Sequence, residues 1–341
     1  MIHLIFILIL ILSIPDLNKK SKLWKVSFIL LFLFSALRYD FGPDYMEYYS
    51  IHSLIRNLSH SWGQGDWLFK FINLLIPNFF LMIALLSFLH IFSIYILIKN
   101  NLRQNQYWFA ILLLIINPYL FCVQQSSIRQ TAAISLVLFA INYLTSRNLI
   151  KYSILIFLAS GFHASAVIMY PIYFLITSKK FSKNTTLIIM FITFTLLFTT
   201  IFDFISLKIL KVLPKHYLYY AELGLKNNLR STILSSVFFF LLILNIHKLK
   251  NVELIYGRLS LFSTIISVLA FKLSMIVRIG MYFDIFLIIS IPQIFDKFSI
   301  KVNKISLFIL IMIIYLIRYY AFFSNPTWSR AYGTYKTIFT Q

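Results

Sequence analysis

Eleven consecutive residues, Arg38-Tyr39-Asp40-Phe41-Gly42-Pro43-Asp44-Tyr45-Met46-Glu47-Tyr48, hold a guanidinium, three carboxylates and three phenols. Gly42-Pro43 breaks any helix there and turns the chain, which gathers those groups. The competing reading is an aromatic belt around a satisfied surface turn. A second polar cluster is Gln124-Gln125-Ser126-Ser127-Ile128-Arg129-Gln130. Arg129 and Gln125 are four apart and share a face. The planar fork of Arg129 suits phosphate oxygens, although the segment also reads as a loop that caps the next helix. A third cluster, Gly161-Phe162-His163-Ala164-Ser165, interrupts an apolar stretch. A lone histidine there is either a satisfied core residue or an acid–base group beside a helix break. The fourth is Arg278-Ile279-Gly280-Met281-Tyr282 with Asp284. Arg278 and Tyr282 share a face, and Asp284 lies on another. Here a structural ion pair competes with a ligand site.

The rest of the chain explains why these residues stand out. Of 341 residues, 60% are hydrophobic and only 12% are charged. A soluble domain carries roughly 25% charged residues, so this chain cannot cover a soluble surface and its solvent is lipid. That excludes a cytosolic enzyme, a nucleic-acid module and a disordered protein. The charge balance, 31 − 10 = +21, fits lysines and arginines that orient membrane spans better than it fits nucleic acid. One cysteine, Cys122, rules out a disulfide framework. No His or carboxylate stands at metal-ligand spacing from His163, so no metal is expected. No phosphate loop, dinucleotide fingerprint or nucleophile elbow is present, and no cofactor is expected.

The apolar runs are continuous rather than alternating, so they are helices. The expected fold is all-α: a multi-pass transmembrane bundle of about ten to twelve spans in a single integral domain over residues 1–341. The candidate spans are Ile2–Ile14, Leu23–Leu37, Ile76–Ile98, Tyr107–Val123, Ile128–Leu144, Thr185–Ser206, Thr232–Ile246, Leu254–Phe271, Leu273–Phe295 and Ile305–Phe323. Met1–Ile14 lacks a basic start and a small-residue cleavage site, and so reads as a retained helix. Lys19, Lys20, Lys22 and Lys25 place the first loop inside, and Lys99, Arg103, Arg147 and Lys151 mark the same side. The acidic segment 38–67 becomes an outer loop. Tyr152–Ile176 either crosses once or turns back near Gly161-Phe162-His163. The re-entrant reading keeps Lys179, Lys180 and Lys183 inside and is preferred. It leaves 207–230 as a basic outer loop suited to a substrate. No internal repeat is visible, which weakens a transporter reading.

Three of the four clusters centre on arginine. If they converge in one wet chamber facing away from the cytosol, they would hold an anion that arrives through the membrane, such as a lipid diphosphate. The same residues carry a family resemblance. Arg38…Gly42-Pro43-Asp44-Tyr45…Tyr48 resembles the Arg-x-x-x-Gly-x-Asp-Tyr-x-x-Tyr segment of the EpsG/Wzy-type polysaccharide polymerases. Ser127-Ile128-Arg129-Gln130…Ala133 resembles their Arg-Gln helix. Leu158 to Ala166 resembles their Ala-x-x-Phe-His-x-Ser-Ala segment, and Arg278-Ile279-Gly280-Met281-Tyr282-Phe283 their Arg-x-x-x-Tyr-Phe segment. Trp328 fits their tail, whereas Asp66-Trp67 departs from a segment that often carries Glu in relatives.

The resemblance implies a glycosyltransferase of the bacterial cytoplasmic membrane. Its partner would be an undecaprenyl-diphosphate-linked oligosaccharide, polymerised at the outer face into O-antigen, capsule or exopolysaccharide. A chain-length regulator protein is a further expected partner, beside the bilayer itself. Arg129 and Arg278 would clamp the diphosphate, with Arg38 assisting, and Asp44 or His163 would serve the acceptor hydroxyl as base. Asp40, Tyr45, Tyr48, Gln130, Tyr282 and Trp328 would bind sugar. The alternatives are a flippase or transporter of the same lipid, or a polysaccharide ligase.

Overall fold

The structure is a computed structural model that describes residues 2–14, 22–57, 66–177, 183–212 and 229–340. Lys19, Lys20, Lys179, Lys180 and most of the basic 207–230 segment lie outside the described residues. The described chain is almost wholly helical. In order run α1 (Ile2–Ser13), α2 (Leu23–Ala36), α3 (Tyr45–Arg56), α4 (Trp67–Leu75), α5 (Phe79–Asn101), α6 (Tyr107–Ile116), α7 (Pro118–Ser126), α8 (Ile128–Thr145) and α9 (Leu149–Phe162). After a 3-10 turn at Ala164–Ile168 come α10 (Met169–Thr177), α11 (Lys183–Phe198), α12 (Ile201–Val212), α13 (Leu229–Asn245) and α14 (Asn251–Leu269). The last are α15 (Val277–Asp284), α16 (Leu287–Asp296), α17 (Lys301–Ser324) and α18 (Pro326–Tyr332). Two compact units result, one from residues 1–173 with 299–341 and the other from 174–298.

Among the described residues, five helices are long and apolar enough to cross a bilayer, or up to seven if each of two pairs bent by 59° counts as one span. Further helices are apolar but shorter, so the chain is a multi-pass membrane protein. The α6–α7 bend follows from Pro118, which has no N–H to continue a helix and opens α7 after an extended Asn117. The span expected over Tyr107–Val123 is therefore two helices. Leu273–Phe295 is likewise divided, into α15 and α16.

In the first unit α8 is central and α17 peripheral: 67% of the α8 span is buried against 22% of α17. Lipid supplies no hydrophobic drive between spans, so close approach matters more than apolarity. Small side chains give α8 that approach, with Ala132, Ala133, Ser135 and Ala140 all buried.

A tight turn joins α8 to α9. Arg147 takes a left-handed φ of 58°, and the side chain of Asn148 caps α9 by accepting from the Lys151 N–H at 3.1 Å. The helices run back antiparallel, so the N-terminal end of α8 meets the C-terminal end of α9. The chain then reverses again at His163. Tyr152, in the first turn of α9, donates to the Met169 carbonyl at 2.5 Å and lies 5.1 Å from the Tyr173 ring. A straight helix would hold residues 152 and 169 about 25 Å apart. The stretch is thus a hairpin folded at His163, and the chain leaves on the side where α9 entered. Cysteines replacing Lys151 and Lys183 are expected to react with an impermeant maleimide from the same side, the cytoplasmic one. Cys122 is buried and need not be removed. Labelling from opposite sides would show a single crossing.

Charge sorts along the first unit. Lys22, Lys25, Lys99, Arg103, Arg147 and Lys151 sit at the end where α2 and α9 begin and α5 and α8 finish. Its described acidic residues, Asp40, Asp44, Glu47 and Asp66, sit in the segments that join the opposite helix ends. By the positive-inside rule the basic end is the one expected to face the cytoplasm.

Candidate functional site

The turn after α2 is built by backbone that few residues tolerate. Asp40 has φ 47° and Gly42 φ 98°. A Cβ on Gly42 would lie 2.5 Å from Ser126 Cβ and 2.9 Å from Tyr332 Cε1, so only glycine fits. Ser126 Oγ accepts the Asp44 N–H at 3.0 Å, and the Gly42 N–H donates to the Ala331 carbonyl at 3.0 Å. The tail closes the turn from the other side. Arg38–Tyr39 pairs antiparallel with Lys336–Thr337, and Tyr335 donates to the Phe34 carbonyl at 2.7 Å. Trp328 stacks on Phe322 at 5.2 Å, within the aromatic layer that ends in Tyr332.

Arg38 holds this turn together from inside. It is 4% exposed. Its guanidinium donates to the Ser35 carbonyl, to Ser87 Oγ at 2.9 Å and to the Gln125 carbonyl at 2.9 Å. It also lies beside the Tyr45 ring, whose hydroxyl donates to the Arg38 carbonyl at 2.9 Å. Burial pushes the Tyr45 phenol up to about 12, so it remains a donor. A cavity of about 10 Å³ lies beside Arg38, lined also by Ser87, His90, Gln124 and Gln125, which is room for about one water. Ser135 Oγ gives its proton to the Thr131 carbonyl at 2.7 Å. It therefore accepts from His90 Nδ1 at 3.2 Å, which leaves His90 Nε2 as an acceptor.

Arg129 occupies the first turn of α8. Ser127, with ψ 56°, breaks the helix before it, so Gln125 belongs to α7 and the two do not share one helical face as expected. Arg129 Nε donates to Tyr48 Oη at 3.2 Å, and Nη1 forms an ion pair with Asp66 Oδ2. The pair keeps a path to water, with 21% and 14% of the two side chains exposed. Burial outweighs the nearby guanidinium and pushes the Tyr48 phenol up. Its oxygen accepts from Arg129, so its proton is available to an incoming oxygen. Gln130, next along α8, is buried. Asp44 is half-buried at the start of α3, and its carboxylate makes no hydrogen bond or ion pair among the described residues.

Asp66 is the site residue that the sequence reading left unassigned. An Asp before an apolar run reads as a helix N-cap, yet its side chain makes no cap bond and serves Arg129 instead. Its position is fixed by the next residue. Trp67 packs on α9, 5.7 Å from Phe157, at a point where a Cβ on Gly161 would lie 2.7 Å from its ring. The same contact joins the Arg129 ion pair to the His163 reversal. Folding α8 and α9 about residue 147 brings the start of α8, with Arg129, to the end of α9, beside the His163 reversal. His163 Nδ1 accepts from Ser165 Oγ at 2.7 Å and from the Ser165 N–H at 3.3 Å. With Nδ1 accepting the Ser165 N–H, a ring proton sits on Nε2, which is a donor.

The first unit thus brings Arg38, Asp40, Asp44, Tyr45, Tyr48, Arg129 and Gln130 to one end, with Trp328 in the tail that covers it and His163 at the neighbouring helix end. Arg278 and Tyr282 belong to the second unit. There Arg278 is exposed and Tyr282 fully buried on α15, so the four-residue spacing does not give them one environment. Asp284 accepts from Ser263 Oγ at 2.5 Å. Arg258, buried on α14, was not singled out by the sequence, and it donates to the Ile176 carbonyl at 2.7 Å. That carbonyl lies in the last turn of α10, where a cation complements the helix dipole.

A family model described as the EpsG family matches residues 21–337, nearly the whole chain. No curated protein and no solved structure matches the chain.

Proposed function

The chain belongs to the EpsG family, and on that premise we propose that it is a glycosyltransferase of the bacterial cytoplasmic membrane. It joins oligosaccharide repeat units carried on undecaprenyl diphosphate into a surface polysaccharide at the outer face. The observation that carries the reading is the Arg129 guanidinium, fixed by Tyr48 and Asp66 at the end of the bundle opposite the cytoplasmic lysines. A substrate that is part lipid, part diphosphate and part sugar needs a cation at such a boundary.

The acceptor is a sugar hydroxyl of one lipid-linked unit, and the donor is the chain on a second carrier. The hydroxyl oxygen attacks the donor's anomeric carbon. The bond from that carbon to the diphosphate oxygen breaks, its electron pair stays on the diphosphate, and the hydroxyl proton passes to a base. We assign that role to Asp44, which is half-buried at the start of the helix that carries Tyr48, whereas Asp40 and Glu47 are exposed and Asp66 is paired with Arg129. Arg129 and the Tyr48 proton stabilise the charge that develops on the leaving diphosphate. His163 Nε2–H donates to a phosphate or sugar oxygen. Arg38 acts through the turn it holds, by placing Asp44 and Tyr48. Arg278, in the second unit, is proposed as a substrate-binding cation there, with Tyr282 supporting its helix.

The test is the surface-polysaccharide ladder of a deletion strain. Loss of a polymerase leaves single repeat units on the carrier at the outer leaflet, and the wild-type gene restores the long chains. Units stranded on the inner leaflet would indicate a flippase, and full-length polymer retained on the carrier would indicate a ligase.

A further inference from the structure

A groove of about 250 Å³ runs between α2 and α5, lined by Lys25, Phe28, Ile29, Phe32, Phe88 and Phe92 with their neighbours. Phe28 and Ile91 are buried and form its floor, while Ile29, Phe88 and Phe92 are exposed and form its rims. Phe88 and Phe92 stack face to face at 5.5 Å, and Phe32 meets Phe88 edge-on at 5.8 Å, which keeps the walls stiff. Lys25 is the only charged lining residue, and it stands at one end. That is the cytoplasmic end, marked also by Lys22, Lys99 and Arg103. Trp24 stacks on Tyr95 at 5.2 Å there, the aromatic pair expected at headgroup level. From Lys25 to Phe32 the groove rises about 10 Å along α2, about two-thirds of the hydrocarbon depth of one leaflet.

We infer that this groove is a binding site for an anionic phospholipid of the inner leaflet. The phosphate lies on Lys25, and one acyl chain lies between Ile29 and Phe92. The carrier's polyprenyl chain is the other hydrocarbon available, but its diphosphate belongs at the opposite end of the unit, away from Lys25. The site is independent of the glycosyl-transfer chemistry.

Native mass spectrometry of the full-length protein, with phosphatidylglycerol and phosphatidylcholine of identical chains, tests the assignment. Phosphatidylglycerol is expected to be retained about five-fold better, the contribution of one lysine at an anionic surface. Lys25→Ala brings the ratio to about one. Ile29→Trp, which fills the groove, lowers retention of both. Equal retention by the wild type, or a preference that survives Lys25→Ala, overturns the proposal. So does displacement of phosphatidylglycerol by undecaprenyl phosphate alike in wild type and Lys25→Ala, because the groove would then hold the carrier's chain.

Discussion

Arg129→Ala is expected to lower long-chain polymer by about 10²–10³-fold, the loss that follows removal of one preorganised donor from a developing oxyanion. Arg129→Lys keeps the charge and gives up the fork that reaches Tyr48 and Asp66 together, so it recovers little of that loss. Folding must be separated from chemistry, because an ion pair that is only partly exposed also contributes to stability. Asp66→Asn provides the comparison. It removes the same pair, leaves the guanidinium in place and keeps the shape of the side chain. If the pair only fastens α4 to α8, Arg129→Lys and Asp66→Asn lower the melting temperature together, and polymer falls only as far as protein level does. With Arg129 on the diphosphate, Arg129→Lys loses polymer while its membrane level and melting temperature stay close to wild type. Wild-type ladders from both Arg129→Lys and Arg129→Ala would refute the clamp.

Gly42→Ala carries the second large effect, on the fold first and on polymer as a result. The left-handed backbone costs a residue with a Cβ about 1–3 kcal/mol. Overpacking against Ser126 and Tyr332 adds about another 1–3 kcal/mol. Since total stability is only about 5–15 kcal/mol for a typical domain, the variant should melt well below wild type in detergent. Its polymer should also be lost, because Asp44 and Tyr48 follow this turn directly. Ser126→Ala alone, which removes only the Oγ that accepts the Asp44 N–H, should cost less than Gly42→Ala, and adding Ser126→Gly to Gly42→Ala, which clears the atoms 2.5 and 2.9 Å from the new methyl, should restore part of the melting temperature. The φ of Gly42 and the Tyr332 contact remain, so recovery is incomplete. An unchanged melt for Gly42→Ala would mean that the turn is not fixed as described.

Both predictions rest on features that were unequally legible in the sequence. Gly42-Pro43 and Gly161-Phe162-His163 announce themselves locally, because glycine and proline restrict the backbone wherever they stand. The turn and the reversal are accordingly where they were expected. The charge pattern is equally local, since it depends on composition near helix ends and not on contacts. Asp66 was different. Its partner lies 63 residues away, and an aspartate before an apolar run has a local explanation that conceals the distant one. The break at Ser127 carries no glycine or proline, so Gln125 and Arg129 read as one helix. The strands at residues 38–39 and 336–337 are two residues each, too short for any alternation to show.

That small sheet has a bearing on how the molecule is made. Spans enter the bilayer in the order of their synthesis, yet Arg38 pairs with Thr337, a residue made after α17, the last of the described spans. Until then the Asp44 turn lacks its last wall, so the fold of this end of the first unit is completed only after α17 has been made.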